Sequence, residues 1–537
     1  MHPRIKITKQ LIKTLNLNQK DVFDKMLAEK ILQICLPTGV GKGYVMNVHI
    51  RHDLIKDISD IVTISSHRLI LNTQHLADLI AVLKDMIEDV RFIFVGSSPF
   101  NHDRLDEDKF LRKVFYKHQF TSKDLVKQTT SMSAVNKWVE EFRADNKKVV
   151  IISTYHSLHK LRELKLGAIY CDEAHALASE DSTNVFKKNF SCLNFKKSYF
   201  LTATPKDGVE DNPYSFLMNN EDIFGHREQM NVREAYKLGY ITKPVVHMAV
   251  PENYNNEDMN QLRNKVKFII HTFGTHEKFV KEATDTPELI GGKLLIKCES
   301  VDVMWKIYDS LLNKNLQNID LFAGASRKGT KGSPSYQKNG VDVPKSDHLV
   351  ALQQLKSTDR AIVLHVNTLS EGVNVKTFTG SMFLTNHILT VTSILQSIGR
   401  STRVLDIDRK NLKNGSIEVG DEYKGWLKPY AFVILPVYDP ESKHTAEYVS
   451  NLIKELKMGD RDSNYVISIG DDMCKGKNLS QDPLVDLYKL DKNKKLVKKI
   501  VDIIENDYIS SLEIKTQSKI NQMDDSQLLE LLKAELK

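Results

Sequence analysis

Short apolar runs alternate along this chain with stretches whose apolar residues recur at helical spacing. From Ile31 onward the runs are Ile31 to Leu36, Ile61 to Ile64, Phe92 to Val95, Val149 to Ile152, Ala168 to Cys171 and Tyr199 to Thr202. A strand that is apolar at every position is buried on both faces, and strands separated by helices pair in parallel. A second series begins near Val245 and continues with Lys293 to Lys297, Ala361 to Val366, Ser381 to Thr385 and Ala431 to Leu435. The pattern predicts an α/β protein with two tandem parallel-sheet domains, residues 1–245 and 246–440. Pro244 and the polar stretch Asn253-Tyr254-Asn255-Asn256 mark the join, with a hinge around 245–255.

Two stretches break the alternation and read as insertions, Ser97 to Asn146 and Gly324 to Asp347. The second is rich in Gly, Ser and Lys, carries Arg327, Lys328, Lys331, Lys338 and Lys345, and reads as an exposed loop. After Tyr438 the strand signal gives way to a helical one. Leu496, Val497, Ile500, Val501, Ile503 and Ile504 share a face beside Lys494, Lys495, Lys498 and Lys499, and Leu528, Leu529, Leu531, Leu532 and Leu536 repeat that spacing. Residues 441–537 are thus expected to form a mainly helical extension, packed on the body or open to a protein partner.

Composition narrows this picture only modestly. With 537 residues the chain is too long for a single core at about 150 residues per domain, and 41% hydrophobic against 27% charged residues is ordinary for a globular protein. No run reaches the roughly 18 apolar residues of a membrane span, so no membrane partner is expected. Met1 to Lys13 carries four basic residues but no apolar core with a cleavage site, and the protein is expected inside the cell. Cys35, Cys171, Cys192, Cys298 and Cys474 are scattered without a CxxC pair, which indicates neither a zinc site nor a disulfide framework and predicts buried, reduced thiols. A net charge of +7 leans toward a polyanionic partner without requiring one.

The first candidate chemistry follows the Ile31 run: Leu36-Pro37-Thr38-Gly39-Val40-Gly41-Lys42-Gly43. Gly39 and Gly41 let main-chain N–H groups turn inward onto phosphate oxygens, and Lys42 bridges the outer phosphates. A hydroxyl should follow to hold Mg²⁺, and Gly43 stands in its place. Taken alone, such a turn binds nucleotide or is merely a turn. The second candidate is Ala168-Ile169-Tyr170-Cys171-Asp172-Glu173-Ala174-His175, a strand ending on two carboxylates. There Asp172 can reach Mg²⁺ through its water shell while Glu173 orients and deprotonates water, or the pair can simply cap a helix.

Taken together with Thr202-Ala203-Thr204 and Gln396-Ser397-Ile398-Gly399-Arg400-Ser401-Thr402-Arg403, these segments resemble a superfamily 2 helicase of the DExH type, in that family's order. Further likeness lies in Gln19, His67-Arg68-Leu69-Ile70-Leu71-Asn72-Thr73-Gln74 (motif Ia), Ser153 to Leu158, Lys293 to Ser300 (motif IV) and Thr368-Leu369-Ser370-Glu371-Gly372-Val373-Asn374 (motif V). Phe224-Gly225, Glu234-Ala235 and Gly239-Tyr240-Ile241 are similar to passages in restriction-enzyme motor subunits, phage UvsW-like helicases and helicases of large DNA viruses.

The resemblance implies two RecA-like domains, ATP and Mg²⁺ as cofactors, and movement along a nucleic acid, DNA favoured over RNA, held by its backbone. It implies that Gln19 reads adenine, that residues 36–43 and Gly372 bind the nucleotide with Lys42 on its phosphates, and that Asp172 holds the metal. Glu173 activates water, and Arg400 and Arg403, spaced i, i+3 on one helix face, stabilise the transferred phosphate. Thr202 and Thr204 would bond across to the acidic tetrad. Asn374 replaces the family's Asp and brings no charge. Two other activities fit the same motifs: an ATPase that remodels or anneals strands, and an adaptor that has lost hydrolysis, for which Gly43 and Asn374 speak. The sub-family likeness also points to a viral or mobile-element origin.

Overall fold

The computed structural model describes residues 3–67, 69–97, 100, 102–181, 183–208, 216–250, 261–325, 336–366, 375–384, 397–419, 424–436 and 465–469. The chain divides into two compact units, Met1–Ile241 and a second from Thr242 onward.

In the first unit, strands β1 (Ile31–Cys35), β2 (Ile61–Ser66), β3 (Val90–Val95), β4 (Val126–Thr129) and β5 (Lys148–Thr154) are followed by the short β6 (Lys165–Leu166). Then come β7 (Ala168–Asp172), the short β8 (Asn194–Phe195), β9 (Ser198–Thr202) and β10 (His226–Gln229). Eight of these form one sheet in the order β10-β1-β9-β7-β2-β5-β3-β4, and every pair is parallel. β6 and β8 make a separate parallel pair. Every residue of β2 and β9 is buried, as expected for strands covered on both faces. One core cluster gathers Cys35, Ile93, Ile151, Tyr155, Ile169, Phe200 and Phe224.

Residues 97–146, read as an insertion, carry regular structure that extends the sheet. They hold helices Lys109–His118 and Met132–Ala144 and the edge strand β4, whose register with β3 pairs Phe92 with Val126. Val126-Lys127-Gln128-Thr129 has one apolar residue and so escapes a search for apolar runs, because an edge strand needs only one side buried.

The second unit contains β11 (Lys243–Val250), β12 (Lys293–Cys298), β13 (Asp320–Gly324), β14 (Tyr336–Lys338), β15 (Val341–Asp342), β16 (Ala361–His365), β17 (Gly380–Leu384), β18 (Tyr430–Pro436) and β19 (Tyr465–Ile469). Their order is β15-β14-β13-β16-β12-β17-β18-β11-β19, parallel except at the β13-β14-β15 edge. Two parallel-sheet units in tandem match the RecA-like expectation.

Three expectations are corrected here. Pro244 lies inside β11 rather than in a linker: Lys243 N–H donates to Pro429, so the next position faces the other side, where pairing with β19 starts only at Val246. Within Gly324 to Asp347, β14 and β15 form a hairpin, and Asn339 (φ 48°) and Gly340 (φ 82°) both take the left-handed conformation of a tight turn. Tyr465–Ile469 is a strand within the stretch expected to be helical. The repeats at 496–504 and 528–536 lie outside the described residues. Among the described residues, no helix is long and apolar enough to cross a membrane. Cys35, Cys171 and Cys298 are buried as expected, but Cys192 is exposed at the end of a short helix, and Cys474 lies outside the described residues.

Candidate nucleotide site

In the first unit, the residues singled out in the sequence cluster just beyond the carboxyl ends of neighbouring strands, where open parallel sheets collect ligands. Leu36 follows β1, Asp172 ends β7, Thr202 ends β9 and Tyr155 follows β5.

The phosphate loop turns as its glycines require. Gly39 and Gly41 both have φ near 99°, a left-handed backbone that L side chains resist, and Gly41 leads directly into helix Lys42–Ile55. That helix aims its first free N–H groups at the turn. Lys42 Nζ donates to the Leu36 carbonyl at 2.7 Å, which keeps the ammonium over the loop.

Gln19 is buried against this loop. It caps helix Leu17–Ala28 with Asn16: Gln19 N–H donates to Asn16 Oδ1 at 2.8 Å, and Asn16 N–H donates to Gln19 Oε1 at 3.1 Å. Its Nε2 donates to Val40 O at 3.0 Å and Gly41 O at 3.4 Å. The amide expected to read adenine is therefore engaged with the loop itself. Beside Gly43 the arrangement is open, and nothing lies within 4 Å of the place a Cβ would occupy.

The acidic pair is held from several directions. Tyr155 OH donates to the Asp172 main-chain oxygen at 2.6 Å, and His75 Nε2 lies 2.8 Å from Asp172 Oδ2. Burial works to raise the Asp172 pKa, but the hydrogen bond and charge of His75, with the Lys42 ammonium, outweigh it and hold the carboxyl below its ordinary range. Burial likewise opposes charge on His75, yet Asp172, Asp78 and Glu173 carry its pKa above the ordinary value. The two groups are placed to pair as ions whenever the imidazole is protonated. Glu173 sits at φ 55°, ψ 48°, a strained conformation for a residue with a side chain, so Asp172 and Glu173 leave the strand in different directions. His175 Nδ1 lies 3.0 Å from Thr202 Oγ1 and 3.5 Å from Glu173 Oε2. Thr202 thus reaches the tetrad as expected. Thr204 instead turns its main chain back, its N–H donating to Thr202 Oγ1 at 3.1 Å.

His75 was not legible as a site residue, since the motif Ia likeness stops at Gln74. The usable signal is its spacing from Asn72. That side chain takes a bond from Ser66 Oγ at 2.8 Å and gives one to Ser153 O at 2.8 Å, clamping helix Leu69–Leu83 to β2 and β5. Three residues on, His75 falls on the same helix face.

Among the described residues, no group of three or more His, Cys, Asp and Glu is placed to cage a metal. One hard carboxylate beside a phosphate loop nevertheless fits Mg²⁺, which keeps most of its waters and takes phosphate oxygens.

In the second unit, Ser300 caps helix Val301–Leu312, its Oγ accepting from Val303 N–H at 3.3 Å, which places the end of the expected motif IV at a strand-to-helix turn. Residues 397–401 are helical and Arg400 is buried, but Arg403 lies past the helix end, which corrects the expectation of one helical face for both. At that end Lys428 satisfies a free helix carbonyl, its Nζ donating to Ser401 O at 3.0 Å and also to Lys376 O and Phe378 O. Gly372, Asn374 and Gln396 lie outside the described residues.

Residues 5–207 match the family model described as the res subunit of type III restriction enzymes. No curated protein sequence matches the chain. Among solved structures, the ATP-dependent Type ISP restriction-modification enzyme LlaBIII bound to DNA aligns with TM-score 0.60 and 17% identity over 91% of this chain and 33% of that one. A nuclease-deletion mutant of the Type ISP enzyme LlaGI, in complex with a DNA substrate mimic, aligns with TM-score 0.51 and 14% identity over 88% and 33%. Dbp5 of S. cerevisiae, bound to RNA and ADP BeF3, aligns with TM-score 0.50 and 12% identity over 93% and 98%. The chain thus spans about a third of the two restriction-modification enzymes. These matches bear out the resemblance to superfamily 2 helicases and translocases and the tandem RecA-like fold.

Proposed function

We propose that the protein is an ATP-dependent helicase or translocase that couples hydrolysis to movement along one nucleic-acid strand. The observation that carries this reading is the convergence of the Lys42 loop, the Asp172-Glu173 pair and Thr202 at adjoining strand ends, with His175 joining the last two. In it, main-chain N–H groups of residues 36–43 and the Lys42 ammonium bind the phosphates. Asp172 holds a Mg²⁺ that, when bound, neutralises phosphate charge. Glu173 takes the proton from the attacking water. Arg400 and Arg403 stabilise the negative charge of the transferred phosphate, and Gly372 contributes to nucleotide binding.

Residues 1–245 serve as the ATP-binding domain, 246–440 as its partner domain and 441–537 as an extension that engages a protein partner. DNA is the favoured substrate. The support for DNA is the likeness to two restriction-modification enzymes solved with DNA or its mimic, against a weaker likeness to an RNA-bound protein. Backbone-mediated binding makes affinity strongly salt-dependent and largely indifferent to sequence.

The test is ATP hydrolysis by the purified protein with and without single-stranded DNA or RNA, beside Glu173→Gln. Stimulated turnover that falls at least about a hundredfold in the variant is expected, the scale of a lost general base. Absent stimulation, or equal turnover in the variant, overturns the motor reading, and no turnover at all leaves the adaptor that has lost hydrolysis.

A further inference from the structure

We propose that His75 is a positioning residue for the metal site, orienting the Asp172 carboxylate so that its other oxygen faces the ion that Gly43 cannot ligate. The proposal rests on the reading of Asp172 as metal ligand given above.

Three observations support it. The Asp172 carboxylate is held at Oδ2 by His75, whose Nε2 lies 2.8 Å away, and takes a further hydrogen bond from the Glu173 main-chain N–H, while the Asp172 main-chain oxygen is pinned separately by Tyr155. With backbone and one oxygen both fixed, the rotation that would swing the carboxylate away is removed, and Oδ1 keeps one direction. His75 itself is buried and rides on a helix clamped by Asn72 to the ends of β2 and β5, so the donor's position is as rigid as the sheet. Lastly, the loop supplies no hydroxyl at Gly43, and no caging cluster exists among the described residues. The protein's side-chain hold on the ion then falls on Asp172, and the partner that orients that carboxylate carries more weight than it would in a loop ending in Ser or Thr. Outer partners of this kind typically change metal affinity by about 10- to 100-fold.

Binding rather than turnover provides the decisive readout. A fluorescent ATP analogue is titrated onto the full chain at fixed concentrations of Mg²⁺ and in EDTA, for the wild type, His75→Ala, His75→Gln and the double variant His75→Ala with Gly43→Ser. His75→Ala is expected to raise the Mg²⁺ concentration for half-maximal binding about tenfold while leaving affinity in EDTA unchanged. His75→Gln, which keeps an N–H donor, should recover part of the loss. Adding the Gly43→Ser hydroxyl should lower the requirement again, and it is the unchanged affinity in EDTA that a merely structural histidine would not show. An unchanged Mg²⁺ requirement in His75→Ala overturns the proposal, as does an equal loss of affinity in EDTA. Wild-type binding that ignores Mg²⁺ overturns instead the assignment of Asp172 on which the proposal stands. Should His75→Ala fail to fold, His75→Phe, which fills the site without an N–H donor, decides in its place: a raised requirement supports the proposal and an unaltered one refutes it.

Discussion

Gln19 Nε2 donates to the main-chain oxygen of Val40 at 3.0 Å, so helix Leu17–Ala28 holds the phosphate loop from behind. A bond of this kind contributes about 1 kcal/mol, and its removal leaves a buried carbonyl without its donor. Gln19→Ala should therefore weaken nucleotide binding about tenfold, equivalent to ~1.4 kcal/mol. Isothermal titration with ATP checks this, and an affinity within twofold of wild type would show that the loop holds its shape alone.

Gly41 and Gly43, two positions apart, should respond in opposite ways to the same substitution. A Cβ at Gly41 meets both a φ of 99° and the Gln19 amide, so Gly41→Ala should cost on the order of 1–3 kcal/mol and abolish nucleotide binding. At Gly43 the space is open and the backbone helical, so Gly43→Ala should leave stability unchanged or raise it by up to about 1 kcal/mol. Urea midpoints of the two variants measure the contrast.

The same open space accepts a hydroxyl. Gly43→Ser should lower the Mg²⁺ concentration for half-maximal ATP turnover several-fold, since it adds a direct oxygen ligand. Turnover measured across a Mg²⁺ series would reveal an unaltered requirement if the ion is already saturated by other groups.

His49 sets an acid limit on the first unit. Its Nδ1 lies 2.7 Å from Tyr170 OH, and burial lowers its pKa from 6.5 to about 4, with Asp53 opposing and Lys197 and His52 adding. Between these values the unfolded chain binds the proton and the folded state does not. Stability is thus complete above pH 6.5 and falls as pH drops toward 4, by about 1.4 kcal/mol per pH unit. His49→Gln should flatten the dependence of the urea midpoint by one proton over pH 6.5 to 5. Equal slopes would mean that other groups carry it.

Lys428 offers a test in the second unit. Its three donors all end on main-chain oxygens, two of them buried, and one of these is Ser401 at the end of the helix that carries Arg400. Lys428→Met keeps the bulk and leaves three acceptors bare, which should cost about 3 kcal/mol or more. Differential scanning calorimetry should show the second unit melting earlier and the first unmoved.

Periodicity and motif order were enough to determine the α/β class, the two sheets and the place of Leu36 to Gly43, Asp172, Glu173 and Thr202. Buried parallel strands must be apolar at every position, and a phosphate turn demands glycine, so both leave marks in one dimension. The Asn339-Gly340 hairpin left such a mark too, in a segment otherwise read by its lysines. Strand β4, half exposed at a sheet edge, left almost none. What only the tertiary structure decided are pairings between distant segments: His75 with Asp172, Gln19 with Val40, and Lys428 with Ser401. A hydrogen bond constrains two residues' positions in space while leaving their spacing along the chain free, so no local pattern announces it.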